Sequence, residues 1–298
     1  MKYKSPAALE MAVKSAAQKS PLDTNRAIAG FYFHRLLCRI FSKADSPFVL
    51  KGGQSMLART INARATRDID LLTQEKSLEN AIEDLKDLAA TDLDDFISFK
   101  FDRTEPIKAD DEYRSGQKVW FNPVLGAKIM QAISIDLVVD EVDRLEPETL
   151  TPADRFEIEG LPTFDYKIYR AENALADKLM AITEIHDGRP SSRVKDLVDI
   201  VVYARTCEVD GQTLASCISK EAKARGIRLQ GSFDIPQSWY QNFKKTYTKL
   251  AAQAKISPLA PNVENAVETA RKFLDPAIKN ESNGLHWNPN SLKWESGH

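Results

Sequence analysis

Apolar residues recur at helical spacing near the start of the chain. In segment 24–42 they follow the 3.6-residue period from Ile28 to Ile40, which predicts an amphipathic helix. Asp23 or Thr24 is the predicted N-cap, because either side chain can accept a hydrogen bond from a free backbone N–H of the first turn.

Shorter apolar runs occur later in the first half of the chain. The run at 47–50 begins at a proline and ends before two glycines, which is typical of a buried strand. Segment 130–139 is the strongest strand prediction, because apolar and polar residues alternate at its centre. Further strands are predicted at 67–72, 96–102 and 118–122, and further helices at 7–19, 54–61 and 78–90.

Beyond Pro162 the hydrophobic period becomes helical. The tail from His286 to Trp294 has no regular pattern. Helices are predicted at 171–185, 192–206, 212–224, 236–254 and 263–274. The sequence therefore predicts an α+β fold, with a mixed-sheet domain at 1–165 followed by a helical domain at 166–298.

The composition is that of an ordinary soluble globular protein. Hydrophobic residues make up 43% of the 298 residues, and charged residues 28%. No stretch approaches the roughly 20 apolar residues of a membrane-spanning helix, and the N-terminus lacks the apolar run of a secretion signal. The odd number of cysteines (three) favours a reduced, cytoplasmic setting, and the four scattered histidines argue against a histidine-built zinc site.

Charge is unevenly distributed, although the net charge is only −2. Residues 206–298 carry 12 Lys and Arg against 9 Asp and Glu, and their basic residues form two clusters that could attract a phosphate backbone. The alternative is a solvated helix face, which is the commoner reason for such clusters. The clusters are Lys220, Lys223, Arg225 and Arg228, and Lys244, Lys245 and Lys249.

A glycine turn links the predicted strand 47–50 to the predicted helix 54–61. Gly52 and Gly53 allow the backbone to approach a ligand closely, and the free N–H groups at the helix N-terminus suit a triphosphate. Ser55 adds a hydroxyl donor to the same turn. A Gly-Gly pair before a helix is most often only a tight turn, so the pair by itself is weak evidence for a phosphate site.

Two aspartates alternate along the next predicted strand. Because the side chains of a strand alternate between its faces, Thr66, Asp68 and Asp70 project to one side, with the two carboxylates about 7 Å apart. Such a pair repels strongly unless it binds a cation, and Mg²⁺ prefers oxygen ligands of this kind. The alternative for an isolated Asp-x-Asp is an edge strand whose aspartates face water.

A third carboxylate lies inside the predicted strand 130–139. Asp136 is flanked by Ile135 and Leu137, and a charged residue in a buried strand is costly unless it is paired or bound to a metal. Three carboxylates could hold two metal ions about 3.5–4 Å apart for an in-line displacement. The alternative is a strand end in solvent, which the acidic residues after Val139 favour.

These residues resemble a known family. Segments 52–55 (Gly-Gly-x-Ser) and 64–71 (Arg-x-Thr-x-Asp-x-Asp-Leu) are similar to motif I of the AbiEii-like nucleotidyltransferases, which include abortive-infection and MenT-type toxins and belong to the polymerase-β-like superfamily. A second family motif, a helical lysine followed by Arg-x-Lys-Asp, matches Lys178 and segment 193–196, with Asp199 one turn later. The two motifs occur in the family's order, and the resemblance runs from about Phe48 to Val202.

The resemblance implies a polymerase-β-like core, a metal-dependent nucleotidyltransferase, and an active site in the cleft between the two domains. It implies a nucleoside triphosphate as substrate and Mg²⁺ or Mn²⁺ on Asp68 and Asp70, with Asp136 as the candidate third ligand. The residues implied for catalysis are Asp68, Asp70, Lys178 and Asp196. Those implied for nucleotide binding are Gly52, Gly53, Ser55, Arg64, Thr66, Lys178 and Asp199.

The second motif also has a physical interpretation of its own. On the predicted helix 171–185, Lys178 lies at the edge of a buried apolar stripe, so its ammonium can reach a cleft and neutralise triphosphate charge. The alternative for the charged residues of segment 193–199 is a surface of ordinary helical ion pairs, each worth a few tenths of a kcal/mol.

The resemblance finally implies a biological role. The family's members are toxins of two-component toxin–antitoxin systems that protect bacteria from phage. The expected acceptor is RNA, specifically the 3′ end of tRNA. The other expected partner is a cognate antitoxin, which binds the toxin directly or acts without contact. Two alternatives stay open on sequence alone. One is a nucleotidyltransferase that modifies a small molecule such as an aminoglycoside, and the other is a non-catalytic module that binds GTP or RNA.

Overall fold

The computed structural model describes residues 2–66, 68–73, 77–107, 114–140, 144–186 and 188–296, which fall into two units. The sheet unit comprises Met1–Ile61, Thr66–Asp140 and Pro147–Ile168. The helical unit comprises Asn62–Ala65, Glu141–Glu146 and Tyr169–His298. Arg67, the first residue of the strand predicted at 67–72, lies outside the described residues.

Three helices of the sheet unit begin at polar caps. Ser5, Asp23 and Ser77 each accept a hydrogen bond from a backbone N–H of the first turn, which confirms the predicted cap Asp23. A fourth helix starts at Gly52 without a side-chain cap. The helices are α1 (Pro6–Lys19), α2 (Thr24–Ile40), α3 (Gly52–Arg59) and α4 (Leu78–Ala89).

Eight strands of the described chain form one mixed sheet in this unit. They are β1 (Phe48–Lys51), β2 (Ile69–Thr73), β3 (Ile97–Pro106), β4 (Arg114–Leu125), β5 (Lys128–Ile129), β6 (Ile133–Asp140), β7 (Glu148–Leu150) and β8 (Tyr166–Ile168). Their order is β3-β4-β6-β2-β1-β8-β7, with β5 beside β4. β2 runs parallel to β6 and β1 parallel to β8, whereas the other pairs are antiparallel, so the predicted mixed sheet is confirmed.

The two faces of this sheet differ in chemistry because strand residues alternate between them. Residues such as Val119 and Ile135 are fully buried in an apolar core that also includes residues of α2 and α4. The alternate positions carry Lys118, Asp136 and, on β2, Asp70. The polar side chains of three neighbouring strands therefore share the face opposite the core.

The helical unit is built from helices and short strands. Each helix in the described ranges of the chain is too short or too polar to cross a membrane. The helices are α5 (Ala171–Thr183), α6 (Val194–Thr206), α7 (Gly211–Ala224), α8 (Trp239–Asn242), α9 (Lys244–Gln253) and α10 (Val263–Ile278). The strands are β9 (Ile185–His186), β10 (Arg189–Pro190), β11 (Val209–Asp210), β12 (Leu285–Asn288) and β13 (Lys293–Ser296).

The prediction of one continuous helix at 236–254 is wrong. α8 and α9 are separate helices, and Phe243 between them leaves helical geometry, with φ −112° and ψ 6°. The indole N–H of the buried Trp239 donates to the Ser191 carbonyl at 2.7 Å, which ties α8 to the loop before α6. A tertiary contact therefore accompanies the break in the helical period.

The tail that sequence left unassigned forms an antiparallel hairpin, β12–β13, to which β11 adds a third strand. Trp287 and Trp294 pack against Phe273 of α10, with ring centroids 4.6 Å and 6.1 Å from it. The Trp287 indole N–H also donates to the Ala204 carbonyl of α6 at 2.6 Å. Buried aromatic rings thus hold the hairpin on the helices of its own unit.

Candidate active site

The turn between β1 and α3 requires glycine at position 52 and leaves little room for a side chain at position 53. Gly52 has a positive φ of +67°, and a Cβ added there would overlap the carboxylate of Asp70. A Cβ added at Gly53 would lie 3.0 Å from Cβ of Thr66, closer than side chains normally pack. The two glycines therefore let Asp70 and Thr66 approach the turn backbone at the N-terminus of α3.

Ser55 is fully buried within this turn. Its hydroxyl donates to the Gly52 carbonyl at 2.9 Å, so its single proton is used to hold the turn closed. The predicted donation from Ser55 to a phosphate would require this hydrogen bond to break. In this arrangement Ser55 shapes the turn and does not donate to a ligand. The groups that remain available to donate to a phosphate are the backbone N–H groups at the helix N-terminus.

The aspartates of the Asp-x-Asp sequence do not lie on one strand. β2 begins at Ile69, so the prediction that Asp68 belongs to the strand is wrong; Asp68 lies in the bend that precedes it. Its carboxylate nevertheless reaches the polar face of the sheet, where it accepts a hydrogen bond from Ser134 at 2.6 Å. Thr66 stabilises the same bend by donating to the Asp68 carbonyl at 3.3 Å.

Strand register brings the predicted third carboxylate next to the second. β2 and β6 run parallel with Asp70 beside Asp136, and β1 places Lys51 opposite Asp70 on its other side. Asp68, Asp70 and Asp136 thus converge on the polar face of the sheet, beside the glycine turn. The role of Asp136 as a metal ligand stays a prediction.

A lysine that the sequence did not mark as functional lies among these carboxylates. Nζ of Lys118 is 2.8 Å from Oδ1 of Asp136 and 3.5 Å from Oδ1 of Asp68. Burial alone would lower the pKa of Lys118, but the carboxylates of Asp136 and Asp68 outweigh it and raise that pKa above its ordinary value. The predicted strand 118–122 already contained Lys118, but only strand register shows which residues face it.

The donor set fits a hard divalent cation whose coordination a substrate would complete. Carboxylate oxygens are the ligands that Mg²⁺ and Mn²⁺ accept, and the Lys118 ammonium already stands as a cation between two of them. Among the described residues, no three His, Cys, Asp or Glu side chains form a ready-made metal cage. Water and triphosphate oxygens would therefore supply the remaining ligands, as is usual for Mg²⁺ with a nucleotide.

The second set of predicted residues forms a buried ion-pair network in the helical unit. Nζ of Lys178 on α5 donates to Asp199 at 2.7 Å and to Asp196 at 3.0 Å, both on α6. The three side chains are almost fully enclosed, so the interpretation as solvated surface ion pairs is wrong for Asp196 and Asp199, whereas Arg193 and Lys195 of the same segment are exposed. The Lys178 ammonium is held between carboxylates and not presented to solvent.

Two arginines extend the network. Arg64 makes a bidentate pair with Asp199, with both N–O distances 2.9 Å, and the half-exposed Arg193 donates to Asp196 at 2.7 Å. Burial opposes the charges of Lys178 and Asp196. The carboxylates nevertheless raise the pKa of Lys178, and the charges of Lys178 and Arg193 lower the pKa of Asp196. These three cations and two carboxylates together carry a formal charge of +1.

Comparison with known families identifies the chain. The sequence profile described as nucleotidyl transferase AbiEii toxin, type IV toxin–antitoxin system, matches residues 35–273. The chain belongs to this family. It is therefore a nucleotidyltransferase toxin of the AbiEii type, which confirms the resemblance drawn from the two motifs. No curated protein matches the chain significantly.

Three solved structures align with most of this AbiEii protein. MenT4, a nucleotidyltransferase toxin from Mycobacterium tuberculosis H37Rv, aligns with 92% of this chain and 99% of its own at a TM-score of 0.50 and 13% identity. JHP933 from Helicobacter pylori aligns with 85% of this chain and 95% of its own, at a TM-score of 0.46 and 17% identity. A putative nucleotidyltransferase from H. pylori aligns with 88% of this chain and 98% of its own, at a TM-score of 0.44 and 18% identity. The MenT4 similarity supports the predicted α+β nucleotidyltransferase fold.

Replacing Gly52 with alanine is expected to reduce nucleotide transfer by the AbiEii protein at least about tenfold. The new methyl group would displace the Asp70 carboxylate, and a displacement of about 1 Å in a catalytic group can cost a hundredfold. The matched control is Gly226→Ala, which has a similar φ of +63° but open space around the added Cβ. Equal activity of the two variants would show that the close approach of Gly52 to Asp70 is unimportant.

Proposed function

We propose that this AbiEii protein moves a nucleoside monophosphate from a nucleoside triphosphate to an RNA acceptor, specifically the 3′ end of tRNA, in a Mg²⁺-dependent reaction. The observation that carries the proposal is the convergence of Asp68, Asp70 and Asp136 beside a glycine turn at a helix N-terminus. Carboxylates alone would repel a triphosphate, so their position beside an anion-binding turn favours a metal–nucleotide complex as the ligand.

The residues of the sheet unit have separate tasks in this proposal. Asp68 and Asp70 hold the cation, and Asp136 is the further candidate ligand. A bound divalent ion withdraws charge from the triphosphate and so favours attack at the α-phosphorus. The 3′ hydroxyl of the acceptor loses its proton to solvent, and its oxygen forms the new bond to that phosphorus. The bond from the phosphorus to the oxygen that bridges to the β-phosphate breaks, and pyrophosphate leaves. The N–H groups at the start of α3 bind triphosphate oxygens, with Gly52 and Gly53 allowing their approach.

The network of the helical unit supplies positive charge in the same proposal. We assign to Lys178 the stabilisation of charge on the nucleotide, for which its enclosed ammonium must exchange a carboxylate partner for a phosphate oxygen when the substrate binds. Asp196 and Asp199 both hold Lys178 in place by direct hydrogen bonds, and Asp199 also orients Arg64. On this assignment, the predicted roles of Asp196 and Asp199 are those of positioning residues.

Exposed basic residues support an RNA acceptor. Lys244, Lys245 and Lys249 are exposed on α9, where they can contact a phosphate backbone. The other predicted basic cluster is partly wrong, because Arg225 is nearly buried and pairs with Glu221, at 2.6 Å. The remaining members of that cluster, Lys220, Lys223 and Arg228, are exposed.

Family membership implies a cognate antitoxin. We expect the reaction to occur in the bacterial cytoplasm, because the proposed substrates, nucleoside triphosphates and tRNA, are found there. Because the family belongs to type IV toxin–antitoxin systems, we expect co-expression of the antitoxin to relieve growth arrest. The antitoxin acts either by direct contact or without it, and co-purification of the two proteins distinguishes these modes.

Purified protein incubated with Mg²⁺, total bacterial RNA and each α-³²P-labelled nucleoside triphosphate in turn is expected to label a tRNA-sized band. The label should disappear with Asp68→Ala, because the proposed metal site loses a ligand, and with EDTA. Label in a small molecule would favour an aminoglycoside-type acceptor. Nucleotide binding without any transfer would contradict the proposed reaction.

A further inference from the structure

We propose that Lys118 is a tethered counter-ion that competes with the divalent cation for Asp68 and Asp136, so that the cation binds weakly until a nucleoside triphosphate accompanies it. This inference rests on the proposed metal-dependent transfer. It assigns a function to a residue that belongs to neither sequence motif.

Lys118 occupies a position that a bound cation would need. β4 and β6 place Lys118 directly opposite Asp136, and the two side chains form an ion pair of 2.8 Å. The same ammonium lies 3.5 Å from Asp68, which is additionally held by Ser134. A divalent cation that used these carboxylates would therefore meet an ammonium group already bound to them.

The charge of the ammonium opposes that of the cation. Asp68 and Asp136, the two carboxylates that Lys118 contacts, carry a formal charge of −2, which Lys118 reduces to −1. A divalent ion and an ammonium that share the same carboxylates repel each other, and the repulsion is only partly screened because the side chains of Lys118 and Asp136 are about one quarter exposed. The ammonium therefore lowers the affinity of the site for a free divalent ion.

A nucleoside triphosphate reverses this balance. Its oxygens bring negative charge to the site and give the Lys118 ammonium a new partner in place of Asp136. The lysine stem is flexible and its charge is compact, so the ammonium can move from a carboxylate to a phosphate without a change in the backbone. The carboxylates are then released for the cation at the moment at which the substrate arrives.

A purely structural role for Lys118 makes a different prediction. If Lys118 only neutralises the acidic face, its removal should destabilise the metal-free protein and leave the affinity for a free cation unchanged. If it competes with the cation, its removal should also increase that affinity. The affinity for a cation in the absence of nucleotide separates the two roles.

The test is a titration of the full-length protein with Mn²⁺ alone, followed by electron paramagnetic resonance. Lys118→Met retains most of the stem and removes the charge, and we expect it to bind Mn²⁺ about tenfold more tightly than the wild type. Lys118→Arg keeps the charge and should bind Mn²⁺ like the wild type. Lys100→Met removes one exposed charge from β3 of the same sheet and is the matched control, with no expected change.

Thermal unfolding gives a second measurement. In EDTA, Lys118→Met should melt about 2–4 °C below the wild type, because Asp68 and Asp136 lose their shared cation. Added Mn²⁺ should raise the melting temperature of Lys118→Met more than that of the wild type, since ligand stabilisation grows with affinity. If Lys118→Met does not fold, Lys118→Gln provides the same loss of charge with a polar side chain.

Unchanged or weaker Mn²⁺ binding by Lys118→Met would overturn the inference. Asp70→Asn distinguishes this result from a failure of the proposed function. If Asp70→Asn leaves Mn²⁺ binding intact, the proposed metal site itself is wrong. If Asp70→Asn abolishes Mn²⁺ binding but Lys118→Met does not strengthen it, only the competing role of Lys118 is wrong.

Discussion

Replacing Asp70 with asparagine is expected to lower the rate of nucleotide transfer at least about a thousandfold and to remove toxicity in cells that express the protein. Asp70 lies beside Asp136 in the sheet and against Gly52 at the start of α3, so its carboxylate is the one that joins the proposed metal site to the triphosphate turn. If the metal ion stabilises the transition state by about 4 kcal/mol, loss of that stabilisation lowers the rate about a thousandfold. The measurement is transfer of α-³²P label under saturating Mg²⁺.

Asparagine has nearly the same shape as aspartate, so the change should leave the fold intact, and a melting temperature near that of the wild type would verify this. Asp102→Asn, an exposed change of the same kind on β3, is the matched control and should transfer label normally. Substantial transfer or toxicity in Asp70→Asn would mean that the acidic face of the sheet is not the catalytic centre.

Asp199→Asn is expected to have the largest effect on stability, lowering the free energy of unfolding of the helical unit by about 3–5 kcal/mol. Asp199 is fully buried and shared by Arg64 and Lys178, so the substitution leaves two cations without their common carboxylate. Removal of one partner from a buried ion pair costs more than the pair contributes, because the remaining charge is left in a poorly solvated site.

Urea unfolding followed by tryptophan fluorescence can measure this change, since three of the four tryptophans, Trp239, Trp287 and Trp294, lie in the helical unit. Arg193→Ala is the control within the same network. Its side chain is 51% exposed, and its loss should cost less than about 1 kcal/mol. Equal unfolding midpoints for Asp199→Asn and Arg193→Ala would show that burial of the network contributes little.

Local sequence patterns predicted most of the elements because each is stabilised by one apolar face. The period at 171–185 predicts α5 to within two residues, and the alternation at 130–139 locates β6. Patterns did not show which distant residue pairs with a buried charge. Arg39 occupies an apolar position in the period of α2, and it is buried because Asp95 pairs with it at 2.6 Å.

The same distinction applies to the candidate site. Gly52, Asp68 and Asp70 could be named from sequence because they are close together in one motif whose chemistry is specific. Lys118 could not, because it faces Asp136 only through the pairing of β4 with β6. Arg64 belongs to the first motif along the chain, yet its carboxylate partner is Asp199, 135 residues later.

The sequence by itself determined the family and the reaction class and named candidate residues for the chemistry, because the two motifs in the family's order are specific together although neither is specific alone. Only the tertiary structure decided that Lys178 is enclosed by Asp196 and Asp199 and that Lys118 shares the carboxylates of the sheet. The physical reason is that the period of a strand or a helix assigns each residue to one face of that element. The order and register of the elements then decide which charged side chains of different elements lie next to each other.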